Sequence, residues 1–326
     1  MHEPLLRVDN LHTRFRTSDS VVEAVRGVSF HVDPGEVVGL VGESGSGKSV
    51  TALSLMRLLP DPPARVEVGT VRFEGRDLLG LSERDMTGLR GGRMAMVFQD
   101  PFSALNPTMT LGEQVAEAAR CHGAASHAEA RRQALDLLRA VRIPSPELRY
   151  RQYPHQVSGG QRQRVMIAMA FAGEPSLLIA DEPTTALDVT VQAQIMSLMA
   201  DLQRRTGAAV LLITHDLGIV AEMCDRVLVM YAGQVVESAP VDRVFHAPSH
   251  PYTVGLLRSL PPMEGPRHAR LSSIPGQPPD LAALAPGCPF APRCPLVMEV
   301  CRERAPEPVE VAPGHTARCH AVKAGG

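Results

Sequence analysis

The 326-residue chain carries 33 basic and 35 acidic side chains for a net charge of −2, and is 44% hydrophobic and 21% charged. That length suits two domains, or one large domain with additions, and the near-balance of charge argues against a nucleic-acid binder, which ordinarily shows a basic excess. No apolar run approaches the roughly 18 residues that a membrane span needs. The opening MHEPLLRVDN lacks the basic patch and apolar core of a secretory leader, so the expected compartment is the cytoplasm, with any membrane role running through partners.

In chain order, EVVGLVG (36–42) is a short apolar run ending in glycine, and SVTALSLMRLLP then reads as a helix stopped at Pro60. LLIAD (177–181) and AAVLLITH (208–215) are two more β-rich apolar runs, each followed by a polar turn and a helical stretch. The alternation predicts an α/β core with a parallel sheet buried on both faces. Residues 101–170 have helical periodicity instead, as in EQVAEAARCHG and AEARRQALDLLRAV, and predict an inserted helical subdomain. Beyond Phe245 the composition shifts, and more than half of the chain's prolines lie there. Proline removes backbone donors and breaks helices, so this tail is expected to be irregular and to need a staple. The chain thus divides into 1–245, with the helical subdomain at about 101–170, and an extension over 246–326.

GESGSGKS, Gly42 to Ser49, fits the phosphate-loop pattern and sits between an apolar strand and a helix, the context that supports such a match. Its glycines let successive N–H groups turn inward towards phosphate oxygens, and the helix starting near Lys48 adds its positive end. Lys48 can reach the β- and γ-phosphates, and the Ser49 hydroxyl can ligate Mg²⁺. The nucleotide-binding run is therefore Gly42, Glu43, Ser44, Gly45, Ser46, Gly47, Lys48, Ser49 and Val50.

In LLIADEP, Asp181 ends a strand and Glu182 follows it. Asp181 suits Mg²⁺ binding through water, and Glu182 suits orienting and deprotonating the attacking water. Pro183 should bias Glu182 towards an extended backbone. VSGGQRQR places Ser158, Gly159, Gly160 and Gln161 before a helix, a second candidate anion-binding N-terminus.

These motifs, with ALD at 186–188, His215 in LLITHD and Gln99 in VFQDP, together resemble the motif set of ABC-type ATPases over about residues 5–245. The resemblance implies a P-loop ATPase with a RecA-like core, an antiparallel β subdomain, an inserted helical subdomain and a small irregular C-terminal extension. It implies that Gln99 senses Mg²⁺ and couples to the helical subdomain. Ser158, Gly159 and Gly160, with Gln161 beside them, would grip the γ-phosphate of ATP held by an opposing subunit. Asp188 would communicate across that dimer, and His215 would hold the γ-phosphate and catalytic water. Phe15 best matches the family's adenine-stacking aromatic, and a core role for it is equally open.

QDPFSALNPTMT, RVMIAMAFA, DEPTTALDVTVQAQIM, VMYAGQVVE and HPYTVGLLRSLP narrow the resemblance to ATPase subunits of oligopeptide and dipeptide importers, over essentially the whole chain. That family implies a homologous second ATPase subunit, two integral membrane permeases and an extracytoplasmic peptide-binding protein, with the ATPases on the cytoplasmic face of the cell membrane. Its members also include importers of nickel and other small solutes. A soluble non-transport ABC ATPase is a further alternative, against which stand the single cassette and the lack of sustained heptads.

Six cysteines are present. Cys121 and Cys224 read as buried free thiols in helical segments. Cys288, Cys294, Cys301 and Cys319 form a C-x5-C-x6-C-x17-C set, wider than the tight pairs usual for zinc. The residues leave open an iron–sulfur cluster, zinc, or free thiols and labile disulfides. In some members of the resembled family a similar set holds a [4Fe–4S] cluster, which four thiolates suit.

Overall fold

A computed structural model describes residues 3–16, 20–185, 187–260 and 273–322. The chain forms two compact units: one comprises residues 1–6, 32–37 and 73–213, the other 7–31, 38–72 and 214–326.

In the first unit the strands Met94–Val97, Leu177–Asp181 and Ala209–Ile213 run parallel, with Leu177 opposite Met94 on one side and Ala209 on the other. Every residue of all three is buried, the pattern of a parallel sheet covered on both faces. From Pro101 to Phe171 the described elements are all helical. Leu111–Cys121 and His127–Ala140 are amphipathic helices started by Thr110 and Ser126, whose side chains accept N–H bonds from Glu113 and Glu129. Cys121 at the end of the first of these is exposed, not buried as its helical setting suggested.

In the second unit the strand Val37–Val41 pairs in parallel with Arg226–Tyr231. Arg226–Tyr231 pairs antiparallel with Gln234–Pro240, and the order continues through His315–Ala317 to Val309–Ala312. Val21–Val32, Leu6–Arg16 and Ala64–Phe73 lie side by side in a separate sheet. The helix after the glycine-rich loop, Lys48–Leu55, stops earlier than Pro60. Arg57 at φ 50° turns the chain into the left-handed region and ends the helix before the proline can.

Most of 273–322 is loop, as its prolines dictate. Its last strands are nevertheless joined to the sheet, and the joint is polar. The Glu237 carboxylate is fully buried. It accepts the Ser249 N–H at 2.6 Å, the His250 N–H at 2.9 Å and a hydrogen bond with His315 Nε2 at 2.8 Å. Such a buried carboxylate is tolerated only because donors surround it.

His250 starts the helix Pro251–Arg258, its Nδ1 accepting the Tyr252 N–H at 3.0 Å, and its ring also bonds the Arg318 backbone. Burial holds its pKa down to about 4, against about 6.5 in an unfolded chain. The unfolded state therefore takes up a proton that the folded state refuses across that interval. The contribution of neutral His250 should be complete above about pH 6.5 and be lost as pH falls towards 4, by up to about 3 kcal/mol. Unfolding free energies measured across pH 4–7 should show this slope, and His250→Asn, which keeps a capping acceptor but does not titrate, should flatten it.

Candidate functional site

The loop at 42–49 leaves the buried strand Val37–Val41 and enters the helix Lys48–Leu55, with Gly47 as its N-cap. Gly42 has φ 155°, and a Cβ there would stand 2.2 Å from the Met230 carbonyl oxygen. Only glycine lets the strand end this close to its neighbour and still turn. Gly45, at φ 78°, faces open space, so its demand is conformational alone.

Lys48 is buried, and its Nζ donates to the carbonyls of Gly42 at 2.9 Å and Glu43 at 3.0 Å. With those carbonyls drawn to the lysine, the loop is held in a curled form. Ser46 Oγ is buried and has no hydrogen-bond partner among the described residues. A buried, unpartnered hydroxyl beside a helix N-terminus and an ammonium group fits an anionic ligand such as phosphate. Ser44 and Gly45 are exposed, and Ser49 and Val50 half-buried. In this same unit His215 is exposed just beyond the strand Ala209–Ile213, and Phe15 is half-buried in Leu6–Arg16.

The other unit carries the remaining motifs. Asp181 is the last residue of its strand and is buried. Glu182 is not extended as Pro183 suggested: its φ is 44°. Its N–H is fixed on the Ile213 carbonyl at 2.9 Å, and its Oε2 accepts from Gln99 Nε2 and from Thr185 Oγ1, both at 2.9 Å. These contacts hold the backbone in a sparsely populated region, against the local preference. Gln99 and Glu182, far apart along the chain, are thus brought together; Thr185 is a third member that the motif spacing did not single out.

Ser158 caps the helix Gly159–Phe171. Its Oγ accepts the Gln161 N–H, and Gln161 Oε1 accepts the Ser158 N–H, both at 3.3 Å. This capping box leaves Gly159 and Gly160 on the first turn; a Cβ on Gly160 would meet Val191 at 2.7 Å. Asp188 caps Val189–Thr206 by accepting the Val191 N–H at 2.9 Å. Ala186, from the same motif, lies outside the described residues.

In the extension, Cys301 is buried and Cys288, Cys294 and Cys319 are half-exposed, all as free thiols. The Cys288 N–H donates to the Cys301 carbonyl at 2.7 Å. Burial first raises the pKa of Cys288, Cys294 and Cys319, and neighbouring cysteines raise each further, while backbone N–H groups at Phe290, Ala291, Leu296, Ala321 and Val322 oppose the rise. The four thiols therefore share one neighbourhood. The expected metal cage is not preformed, however: no group of three or more His, Cys, Asp or Glu among the described residues stands at metal-holding spacing. No helix among the described residues is long and apolar enough to cross a membrane.

Residues 25–185 match the family described as ABC transporter, and residues 236–301 match the oligopeptide/dipeptide transporter C-terminal region. The chain belongs to the ABC transporter family, as an ATP-binding subunit of the type that carries this C-terminal region. A probable peptide ABC transporter ATP-binding protein of Sinorhizobium fredii is 56% identical over 97% of this chain and 94% of its own length. The dipeptide transport ATP-binding protein DppD of Bacillus subtilis is 51% identical over 97% of this chain and 94% of its own. Among solved structures, a dimeric ATP-binding cassette in a post-hydrolysis state with ADP and Pi aligns with a TM-score of 0.65 at 28% identity, covering 72% of this chain and 98% of that one.

The two glycines make unequal demands. Gly42→Ala should destabilise the nucleotide-free protein by roughly 2–4 kcal/mol, through backbone overlap and strain. Gly45→Ala should cost only about 1 kcal/mol, from its positive φ. Chemical denaturation of the two variants checks the order.

Proposed function

We propose that this chain is the energy-coupling ATPase of an importer of di- or oligopeptides. The observation that carries the reading is the joining, in one chain, of an ABC cassette to the oligopeptide/dipeptide C-terminal region, with relatives named as peptide transporter ATP-binding proteins along nearly the whole length. The chain works with a homologous second ATPase subunit and two membrane permeases fed by an extracytoplasmic peptide-binding protein, from the cytoplasmic face of the membrane. Its working regions are an ATPase domain over 1–245, with a helical subdomain at about 101–170, and an extension over 246–326.

ATP is the substrate. N–H groups of 42–49, the Ser46 hydroxyl and Lys48 take its phosphates, and Phe15, half-buried on its strand, stacks on the adenine. By the family resemblance Ser49 and Gln99 would hold Mg²⁺ directly and Asp181 would hold it through water, and the ion would neutralise charge on the transferred phosphoryl group. Glu182 takes the proton of the attacking water, and Gln99 and Thr185 aim its carboxylate. His215 steadies the γ-phosphate. Ser158, Gly159, Gly160 and Gln161 close on the nucleotide of the opposing subunit, and Asp188 carries the signal across that interface. Contacts made only in the closed dimer let ATP shift the machine towards closure.

Glu182→Gln should retain ATP, lose hydrolysis by roughly 100- to 10,000-fold and accumulate a closed ATPase dimer on size exclusion. Turnover at the normal rate would remove Glu182 as the base. Affinity capture of the tagged chain from detergent-solubilised membranes should bring two multi-span permeases, a second ATPase and a solute-binding protein. The ligand retained by that binding protein separates peptide from nickel or another small solute, and recovery without membrane subunits would overturn the transporter reading.

Cys288, Cys294, Cys301 and Cys319 are read as ligands of a structural [4Fe–4S] cluster, with zinc the alternative. What supports this reading is the set of four cysteines, whose thiolates suit such a cluster, with the Leu296 N–H donating to Cys294 Sγ at 3.4 Å. Protein prepared anaerobically should contain iron and sulfide and absorb broadly near 400 nm. Zinc without iron would replace the cluster, and no metal at all would remove both.

A further inference from the structure

Glu43 lies inside the phosphate loop, yet its side chain is held by the C-terminal extension at the far end of the chain. Arg293, between Cys288 and Cys294, has a side chain only 5% exposed. Its Nη1 donates to Glu43 Oε2 at 2.6 Å and its Nη2 to Oε1 at 3.0 Å, a two-pronged grip. Arg293 Nε donates to the Pro275 carbonyl at 2.9 Å, Nη1 also to the Tyr231 hydroxyl at 3.3 Å, and Nη2 also to the Ile274 carbonyl at 3.5 Å. Each of the guanidinium N–H groups thus has an acceptor, and the fork cannot swing. The backbone of Glu43 is held as well: its N–H donates to the hydroxyl of fully buried Tyr252 at 2.8 Å. Phe290 packs edge-on against Tyr231 and Tyr252 and closes this corner off.

The consequence falls on the loop. Glycine-rich backbone samples many shapes, and a phosphate cradle works only when its N–H groups are already aimed. Lys48 ties the Gly42 and Glu43 carbonyls from within the loop. Arg293 and Tyr252 tie the side chain and N–H of Glu43 from outside it. A planar, always-charged fork suits this task where a lysine's point charge does not, and the enclosed Arg293 would be a stranded charge without its partner.

We propose that Arg293 and Tyr252 are positioning residues for the phosphate loop, so that the folded C-terminal extension sets the nucleotide affinity of this subunit. The proposal rests on the reading of 42–49 as the phosphate cradle. Both act through Glu43. Because the cradle serves the phosphates common to both nucleotides, the effect should be shared by ADP and ATP.

The test measures ADP and ATP affinity of the full chain by calorimetry, with hydrogen exchange of the 42–49 amides in the nucleotide-free protein. Lys48→Ala comes first: lost ADP binding upholds the cradle, and unchanged binding sinks the cradle reading itself. With the cradle upheld, Arg293→Ala should raise the Kd for ADP and ATP alike by about tenfold and speed exchange at 42–49, and Arg293→Lys should recover part of the loss. Adding Glu43→Ala to Arg293→Ala should weaken binding no further than the worse single change. Tyr252→Phe removes one oxygen, leaves the extension folded, and should raise both Kd values about threefold. Wild-type affinity and wild-type loop exchange in Tyr252→Phe would overturn the proposal even where Arg293→Ala does not fold, and so would independent, additive effects of Arg293→Ala and Glu43→Ala.

Discussion

The ion pair between Glu43 and Arg293 is the constraint that gives the second unit its character. A carboxylate in the middle of the 42–49 loop is an awkward choice if that loop is the phosphate cradle proposed for it, because a cradle must attract anions. The arginine resolves the conflict by taking both carboxylate oxygens. Buried charges are costly unless paired and fully bonded, and here the guanidinium has a partner for every donor.

A proline-rich segment buries too little to fold alone, and this one has two polar attachments in place of a core of its own. One is Arg293 on Glu43. The other is the Glu237 carboxylate, which collects Ser249, His250 and His315 and so joins the strand His315–Ala317 to Gln234–Pro240. Both attachments use charged groups whose worth comes from being enclosed. In water each would be worth a fraction of a kcal/mol; here the enclosed Arg293 and Glu237 would each be stranded by the loss of their partners. A metal held by the four cysteines would add a third fastening to a segment already held at two points.

What the sequence made legible was whatever is local. The phosphate loop is one unbroken run between a strand and a helix, and its residue types follow from what those positions must do. The strands Leu177–Asp181 and Ala209–Ile213 announce themselves as apolar runs because a two-sided sheet requires it. The Gln99–Glu182 contact was not legible: the resemblance to a known motif set singled out both residues, but they lie far apart along the chain and nothing local links them. Arg293 carried no signal: one arginine in CPFAPRCP looks like any surface charge until the fold delivers it to Glu43. The strands Val309–Ala312 and His315–Ala317 are too short to show alternation, and the surrounding prolines pointed to loop. Pro183 gave the wrong backbone for Glu182, because a local bias of about a kcal/mol yields to several hydrogen bonds acting together.

That strained residue bears on the proposal that its carboxylate serves as the base. A general base must be aimed, and it must also be free to accept a proton. Gln99 and Thr185 are neutral donors to a single oxygen, Oε2. They fix the direction of the carboxylate. The backbone strain at φ 44° is then the cost of placing the carboxylate where both donors reach it, with the N–H of Glu182 fixed on Ile213 at the end of a fully buried strand. The rigidity of the sheet, set by nothing more specific than apolar residues in a row, is what keeps that arrangement from relaxing.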